Sequence, residues 1–347
     1  MRVGHFVSFG IGGADRTAFN LLMGLKSIGV KPLVFYNQFS HPKRTKDQDL
    51  KQPLLSIRGT YERHFDLIEI NTVQDLNNFN LDIIHTHRSG EDEWLLPGLS
   101  HLNRNFKIVE TNFHGYLETP ADFRIYPSHT LMEWRNIKPA TNNAVVFNPI
   151  QLRDTTSDFR EEFGIERDTV VLGRLARSDK SIFSSSLLKT FKLLSRNSDV
   201  KLIWVGKSSQ ALAAADRLKL GNVIWVNPTR DTDEIAKLYK TFDIFCHFNA
   251  LGETFGNTVA EAMLAGLPVV SLQGSRKYPQ AQRELLGDTG QYFINRRSAV
   301  KQLEHLIDSR EARDYLGQRN HLKASELFSP ELLATRVLQI YRTLMRQ

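Results

Sequence analysis

Two glutamates that stand eight residues apart, Glu253 and Glu261, flank a stretch that could bind an anion. The pattern predicts a strand over residues 243–246, then a loop with Glu253, then a helix whose N-terminus lies at residues 256–258. Free N–H groups and the macrodipole at a helix N-terminus favour a phosphate. A carboxylate such as Glu261 accepts hydrogen bonds from paired hydroxyls, for example those of a ribose. The stretch therefore suits a phosphate or a sugar hydroxyl.

Each glutamate also has an interpretation without a ligand. Thr258 and Glu261 have the spacing of a capping box, in which Glu261 would only close the helix N-terminus. Glu253 could be an ordinary solvated charge of a loop. On the residues alone these alternatives stay open.

Basic residues follow the predicted strand over residues 169–173. Arg174 can hold two phosphate oxygens through its planar fork, and Lys180, six residues later, adds a point charge. Either residue alone could be a solvated surface charge. Their position directly after a strand indicates a diphosphate site.

A glycine turn, with Gly10, Gly12 and Gly13, lies between the first predicted strand and its helix. Glycines here let the backbone approach a ligand closely. The turn lacks the further glycine and the acidic residue of a dinucleotide fingerprint. A plain tight turn is the alternative.

Three histidines, His85, His87 and His114, stand at the carboxyl ends of predicted strands. No His-Glu-x-x-His or Cys/His spacing accompanies them, so we expect no metal site. A structural role is the simpler interpretation of each one.

The elements that must position these residues alternate between strand and helix, which is typical of βαβ units. A first α/β domain is predicted over residues 1–149 and a second over 150–329, with a polar hinge at residues 148–154. Ser329 and Pro330 predict the start of a final amphipathic helix over residues 330–347. The predicted fold class is α/β, with two sheets facing each other across a cleft.

Composition narrows the function classes. Of 347 residues 41% are hydrophobic and 24% charged, which indicates a soluble globular chain, and the length favours two domains of roughly 100–200 residues. The single cysteine, Cys246, excludes an intramolecular disulfide and fits a reducing compartment. The N-terminus lacks the apolar core of a signal peptide, and no run is long enough to cross a bilayer. We therefore expect a cytoplasmic protein.

The net charge of +7 lies mainly in residues 151–347, which hold 29 Lys and Arg against 23 Asp and Glu. The densest basic cluster, at residues 41–46, is short and lacks an aromatic platform, so nucleic acid is not the expected partner. Anionic small molecules or lipid head groups fit the charge better.

Together these motifs resemble the retaining glycosyltransferases of family 4, which have the GT-B fold of two facing Rossmann-like domains. The resemblance covers nearly the whole chain and is most specific at the Glu-x7-Glu element formed by Glu253 and Glu261. It also implies that the C-terminal helix crosses back to the N-terminal domain. The chain departs from the family pattern at Asn249, often a serine, at Thr254, commonly a glycine, and at Ser181, often a glycine.

The resemblance implies a role for each candidate residue. Glu253 would contact the hydroxyls of the donor sugar, and Glu261 the ribose of the nucleotide. Arg174 and Lys180 would bind the diphosphate. The remaining contacts would come from the backbone of Phe255, Gly256, Asn257 and Thr258, from the glycine loop at Gly12 and Gly13, and from His114 near the donor sugar.

The implied activity is transfer of a hexose from a UDP- or GDP-sugar donor to a hydroxyl of a sugar, glycan or lipid-linked acceptor. No metal and no tightly bound cofactor are expected. A sugar-nucleotide epimerase, a phosphorylase and a catalytically silent nucleotide-sugar-binding module stay open as alternatives. Acceptor contacts are expected from loops at residues 37–63 and 89–102. The basic residues of the last helix, Arg336, Arg342 and Arg346, leave peripheral contact with an anionic membrane surface open.

Overall fold

The computed structural model describes residues 1–9, 12–37, 57–88, 96, 98–196, 199–287, 289 and 291–346. Gly10, the basic cluster at 41–46 and most of the loops at 37–63 and 89–102 lie outside the described residues. The chain divides into two compact units. The first unit is Met1–Ile150 with Phe328–Gln347, and the second unit is Gln151–Leu327.

Each unit is built from parallel strands and the helices that connect them. The strands are β1 (Val3–Phe6), β2 (Leu33–Asn37), β3 (Leu67–Ile70), β4 (Ile83–Arg88), β5 (Lys107–Asn112), β6 (Phe123–Tyr126), β7 (Asn143–Val145), β8 (Val170–Leu175), β9 (Val200–Val205), β10 (Val223–Val226), β11 (Ile244–His247), β12 (Val269–Leu272) and β13 (Tyr292–Phe293). The α-helices are α1 (Gly13–Ser27), α2 (His129–Trp134), α3 (Ser186–Leu194), α4 (Ser209–Arg217), α5 (Thr232–Thr241), α6 (Asn257–Leu264), α7 (Ala281–Leu286), α8 (Arg296–Asp308), α9 (Arg310–Phe328) and α10 (Pro330–Leu344).

Both sheets have the strand order of a doubly wound fold. The first unit has the order β3-β2-β1-β4-β5-β6-β7, and the second has β10-β9-β8-β11-β12-β13, with parallel pairing throughout. The order reverses between β1 and β4 and again between β8 and β11. Open α/β sheets bind ligands at the carboxyl ends of the strands beside such a reversal. These two edges are where a site is expected.

The second unit buries an apolar core on one side of its sheet. Leu172, Leu202 and Ile244 contribute from the strands, and Leu187 and Phe191 from α3, all fully buried. The strands carry near-continuous apolar runs because helices cover both faces of a parallel sheet. This rigid sheet fixes the positions of the residues at its edge.

The C-terminal helix α10 packs against the first unit, as predicted. Ser329 caps it by accepting a hydrogen bond from the Leu332 N–H, and Pro330 occupies its first turn. Its buried face packs with α1, where a Cβ at Gly24 would lie 2.2 Å from the Pro330 carbonyl oxygen. Only glycine allows the two helices to approach this closely.

The structure corrects one strand boundary that bears on the site. The sequence predicts that the first strand of the second unit ends at Gly173 and that Arg174 lies in the turn. Instead β8 continues to Leu175, because Arg174 and Leu175 pair in register with Trp204 and Val205 of β9. Arg174 is therefore a strand residue, held more rigidly than a turn residue would be.

Helices α7, α8 and α9 and strand β13 follow β12 and were not predicted from the sequence. Among the described residues, no helix combines the length and the apolar composition needed to cross a membrane.

Candidate functional site

The candidate site lies in the second unit at the carboxyl ends of β8 and β11. These strands are neighbours, with Leu172 opposite Ile244 and Gly173 opposite Phe245. A Cβ at Gly173 would lie 2.2 Å from the Phe242 ring, so glycine is required for this packing. Arg174 and the residues after β11 therefore reach the same edge of the sheet.

Arg174 is a buried cation, 3% exposed. Its guanidinium carbon lies 4.2 Å from the centroid of the Trp204 ring. It donates long hydrogen bonds to the Val205 carbonyl (3.3 Å) and to Asn249 Oδ1 (3.4 Å). Within the part of the chain that the structure describes, no carboxylate forms an ion pair with it. Burial lowers its pKa to about 10, so it stays charged at neutral pH and suits an anionic ligand.

Glu253 is held by two side chains from the end of β11. Its Oε1 lies 3.1 Å from His247 Nε2 and 3.0 Å from Asn249 Nδ2. Burial raises the pKa of the Glu253 carboxyl, but the hydrogen bonds from His247 and Asn249, together with nearby positive charge, outweigh burial and bring it below its ordinary value. The side chain is 29% exposed, so this carboxylate is anchored on one side and open on the other. It is not the freely solvated loop charge of the alternative interpretation.

Asn249 joins the two predicted site residues. Its Oδ1 accepts from Arg174, and its Nδ2 donates to Glu253. The sequence treats Asn249 only as a departure from a family pattern, because a single asparagine after a strand carries no signal of its own contacts.

Helix α6 begins at Asn257, with Gly256 as its N-cap. Gly256 has φ 102°, a left-handed conformation that favours glycine, and as a glycine it has no side chain with which to cap the helix. The first N–H groups of the helix follow Phe255, whose side chain is buried and fixes the turn. The helix therefore starts where the sequence predicts, and the anion-binding role of Gly256–Thr258 stays a prediction.

The capping-box interpretation of Glu261 is wrong. The N-cap is Gly256 and not Thr258, so Glu261 is the fifth residue of the helix and not the third, the position that a capping box requires. Its carboxylate is 1% exposed, and Oε2 accepts a hydrogen bond of 2.8 Å from the Tyr239 hydroxyl. Glu261 is thus a buried, oriented acceptor beside the start of α6.

Lys180 begins a short 3-10 turn, Lys180–Ile182, and is exposed. Asp179 caps that turn by accepting from the Ser181 N–H, and also lies 3.6 Å from Arg177. The contacts of Asp179 order this turn. Among the described residues, no contact is seen between Lys180 and Arg174. The diphosphate role of Lys180 stays a prediction.

The other predicted site residues belong to the first unit. Gly12 is the N-cap of α1, Gly13 is its first residue, and His114 is exposed just after β5. The His114 carbonyl accepts a hydrogen bond of 2.8 Å from Arg135 Nε. These residues lie at the carboxyl edge of the first sheet, as the sequence predicts, and their ligand roles stay predictions.

The first unit also holds a buried histidine cluster that the sequence does not reveal. His5 of β1 joins His85 and His87 of β4, and one ring nitrogen from each lies within 4.8 Å of the others, a group that could hold a metal ion by residue type and distance. A series of hydrogen bonds connects the three histidines with two neighbours. It runs from Thr111 through His85, the Tyr341 hydroxyl and His5 to His87.

The ring geometry favours a structural role for this cluster. The rings of His85 and His87 stack at 4.5 Å and 19°, so their nitrogen lone pairs run side by side instead of converging. Burial lowers the pKa of all three histidines, that of His87 to about 3, which keeps the rings neutral. The hydrogen bonds of Tyr341 with His85 and His5 connect α10 to the sheet.

Comparison with known proteins agrees with this architecture. Residues 166–308 match the family model described as Glycosyl transferases group 1. No curated protein matches the chain in sequence. The chain resembles the Anabaena protein HepE, solved in complex with UDP and glucose, with a TM-score of 0.77 at 14% identity over 99% of this chain and 100% of that one.

Two further solved structures have similar folds. A glycosyltransferase from Rickettsia africae gives a TM-score of 0.74 at 16% identity, covering 100% of this chain and 99% of its own. Sucrose-phosphate synthase from Thermosynechococcus elongatus gives 0.73 at 14% identity, also covering 100% of this chain and 99% of its own. The chain therefore has the GT-B fold, two Rossmann-like units, and its residues 166–308 match the glycosyl transferases group 1.

Proposed function

We propose that this protein transfers a sugar from a UDP- or GDP-linked donor to an acceptor hydroxyl, with retention of the anomeric configuration and without a metal ion. The observation that carries the proposal is Arg174, a buried cation at the reversal point of a parallel sheet that has no carboxylate partner among the described residues. The diphosphate of a nucleotide sugar is an anion that would pair with it. The match of residues 166–308 to glycosyl transferases group 1 supports the proposal, as does the UDP bound to HepE.

The second unit offers a group for each part of such a donor. Arg174 and the N–H groups at the start of α6 bind the diphosphate, and Lys180 adds a point charge. Glu253 accepts hydrogen bonds from the sugar hydroxyls through its exposed side. Glu261, oriented by Tyr239, accepts from the ribose.

The first unit contributes the remaining contacts in this proposal. By family resemblance the backbone at Gly12 and Gly13 faces the phosphates, and His114 lies near the donor sugar. The acceptor, a sugar, a glycan or a lipid-linked hydroxyl, binds to loops of the same unit.

The reaction breaks the bond between the anomeric carbon and the diphosphate oxygen and forms a bond to the acceptor oxygen on the same face. The acceptor proton passes to the departing phosphate oxygen, so no protein base is needed. Negative charge grows on the diphosphate as the bond breaks. Arg174, Lys180 and the α6 N-terminus stabilise that charge in place of a metal, an effect of about 3–4 kcal/mol for each donor in other systems.

Titration calorimetry with UDP, GDP and their glucose, N-acetylglucosamine and mannose conjugates tests the donor assignment. We expect one nucleotide to bind in the presence of EDTA. The sugar of its conjugate should be transferred to an acceptor, and NMR should show that the product has the same anomeric configuration as the donor. Lys180→Ala should weaken binding, whereas Lys189→Ala, an exposed lysine of α3, should not. Binding of none of these compounds would refute the proposal.

Other outcomes of the same assay identify the alternatives. Binding without transfer to any acceptor favours a silent nucleotide-sugar module. A changed sugar on the same nucleotide favours an epimerase, and a sugar 1-phosphate formed with inorganic phosphate favours a phosphorylase.

Peripheral membrane contact at the inner, cytoplasmic face is the proposed setting for a lipid-linked acceptor. Arg336, Arg342 and Arg346 are exposed on and just after α10. Basic residues near an anionic surface contribute about 1 kcal/mol each. We expect the chain to cosediment with phosphatidylserine vesicles and not with phosphatidylcholine vesicles, and the triple alanine variant to lose this binding. Equal binding of chain and variant would contradict this proposal.

A further inference from the structure

His247 is a site residue that neither the sequence motifs nor the family resemblance assigns. It is the last residue of β11, 3% exposed, and its ring lies between Glu253 and Ser271. Nε2 is 3.1 Å from Glu253 Oε1, and Nδ1 is 3.2 Å from the Ser271 hydroxyl. Both ring nitrogens are therefore engaged.

The contacts determine where the ring proton lies. Asn249 Nδ2 lies 3.1 Å from His247 Nε2 and 3.0 Å from Glu253 Oε1. If Nε2 were a bare acceptor, its lone pair would face the negative oxygen of Glu253. With a proton on Nε2, both His247 and Asn249 donate to the same carboxylate oxygen. The ionised carboxylate requires the second arrangement.

Ser271 lets the ring keep this arrangement in either protonation state. A hydroxyl can donate to a bare Nδ1 or accept from a protonated one. Ser271 itself is fixed in β12, where its backbone N–H donates to the Gln291 carbonyl. The Nε2–H therefore stays directed at Glu253 whether the imidazole is neutral or charged.

Both donors bind the same oxygen of Glu253. Oε1 is occupied by His247 and Asn249, and the carboxylate is open on its other side. The loop backbone is fixed as well, because the Glu253 carbonyl accepts from the Ala281 N–H, and a Cβ at Gly252 would lie 1.9 Å from the Pro279 carbonyl oxygen. No side chain among the described residues donates to Oε2, which can therefore bind a ligand hydroxyl.

We propose that His247 is a positioning residue that holds Glu253 oriented and ionised for the hydroxyls of the donor sugar. This inference rests on the proposed function, in which Glu253 contacts that sugar. His247 thereby sets the affinity for the sugar part of the donor and not for the nucleotide part.

The charged groups around this pair agree with the assignment. Arg177 from the loop after β8 lowers the pKa of Glu253 through its charge, and Arg174 reaches the pair through Asn249. Burial raises the pKa of Glu253, and the hydrogen bond from His247 is the largest contribution that lowers it. Without that contact, the effect of burial is opposed less strongly. Loss of the His247 contact therefore shifts Glu253 towards its protonated form.

The test compares the affinity for UDP with that for UDP-glucose, or for GDP and GDP-mannose if the chain prefers guanine, by calorimetry at pH 7.5 and 5.5. In His247→Leu we expect the sugar-dependent gain in affinity to fall about tenfold at pH 7.5, the scale of one lost hydrogen bond to a charged group, and further at pH 5.5. The unsubstituted chain should keep the gain at both values. His247→Gln, whose amide N–H can donate to Glu253, should restore part of it.

Two further variants separate positioning from general damage. Cys246→Ala changes the neighbouring β11 residue, which faces the core, and should leave the sugar-dependent gain unchanged. In a Glu253→Gln background, His247→Leu should have no additional effect, because its action passes through Glu253.

Each outcome bears on one level of the account. Equal losses for UDP and UDP-glucose, or additive effects in the double variant, would overturn the positioning role while the proposed function stands. Failure of the unsubstituted chain to bind any of the four compounds would overturn the proposed function, and the positioning role with it.

Discussion

Arg174→Met should make the free protein more stable and at the same time abolish nucleotide binding. Arg174 is a buried cation, and within the described ranges of the chain only the Trp204 ring and two long hydrogen bonds compensate it. Methionine retains the long apolar side chain over Trp204 and removes the charge. If Arg174 serves binding and not folding, its replacement should raise the free energy of unfolding and lower the affinity for the nucleotide.

The magnitude follows from the pKa of Arg174. Burial lowers the pKa of Arg174 from its ordinary value to about 10, which corresponds to about 3 kcal/mol for keeping the charge inside the protein. The contact with Trp204 returns about 1–2 kcal/mol. The variant should therefore gain about 1–2 kcal/mol in free energy of unfolding, and Tm should rise by about 2–4 °C for each kcal/mol.

Nucleotide binding should change in the other direction. A diphosphate bound without its buried cationic partner loses about 3–5 kcal/mol, so affinity should fall at least about a hundredfold. Differential scanning calorimetry with and without UDP or GDP measures both quantities. The nucleotide-dependent rise in Tm should vanish in Arg174→Met.

Arg160→Met is the matched control in the same unit. Arg160 forms an ion pair with Asp243 (2.5 Å) and donates to two backbone carbonyls, so its loss leaves a carboxylate unpaired. This variant should lower Tm and keep nucleotide binding. If Arg174→Met also lowers Tm and keeps the nucleotide effect, the reasoning about an uncompensated binding cation is refuted.

Three further predictions concern other parts of the chain. Glu261→Gln should leave the helix content by circular dichroism unchanged, because residue 261 lies beyond the first turn of α6, and should weaken nucleotide binding about tenfold; unchanged affinity would rule out a ribose contact. Gly24→Ala places a Cβ 2.2 Å from the Pro330 carbonyl oxygen and should cost about 1–3 kcal/mol in urea unfolding, whereas Gly59→Ala, whose Cβ meets no atom of the described residues within 4 Å, should not; equal stability of the two variants would contradict the close helix contact. His87 has its pKa lowered from 6.5 to about 3 in the folded chain, so the stability that its neutral ring contributes is present above pH 6.5 and is lost as pH falls, by about 2 kcal/mol at pH 5. His87→Gln should lose correspondingly less between pH 7 and pH 5, and parallel stability curves would contradict a buried neutral ring.

The alternation of strands and helices was sufficient to predict the α/β class and to place the candidate site residues beyond the carboxyl ends of two strands. The carboxyl ends of β8 and β11 carry Arg174 and Glu253, and short apolar runs bounded by polar turns predict both strands. What the sequence could not provide was the end of β8, since strand length is set by pairing with β9 rather than by local composition.

Helix α9 escaped prediction for a different reason. Before its last residue, Phe328, its buried positions are Gly317, Asn320 and Ala324, none of them large and apolar, so no hydrophobic stripe marks the packed face. A Cβ at Gly317 would lie 2.1 Å from the Gly266 carbonyl oxygen, and Asn320 donates to the Leu267 carbonyl. Close backbone approach and a buried amide, neither visible as periodicity, hold this helix.

The contacts of His247 and Asn249 also lay beyond the sequence. Both residues follow an apolar run, and only the placement of β12 and of the loop at Glu253 brings their side chains to one oxygen. The register of helix α6 was also not predicted. It begins at Asn257, and Glu261 accepts a hydrogen bond from the Tyr239 hydroxyl.

A crystal structure of the chain with bound UDP or GDP tests the central claim most directly. We expect diphosphate oxygens within hydrogen-bond distance of the Arg174 guanidinium and of the first N–H groups of α6, and a ribose hydroxyl within hydrogen-bond distance of Glu261. A nucleotide bound elsewhere, with Arg174 still facing only Trp204 and Asn249, would contradict it.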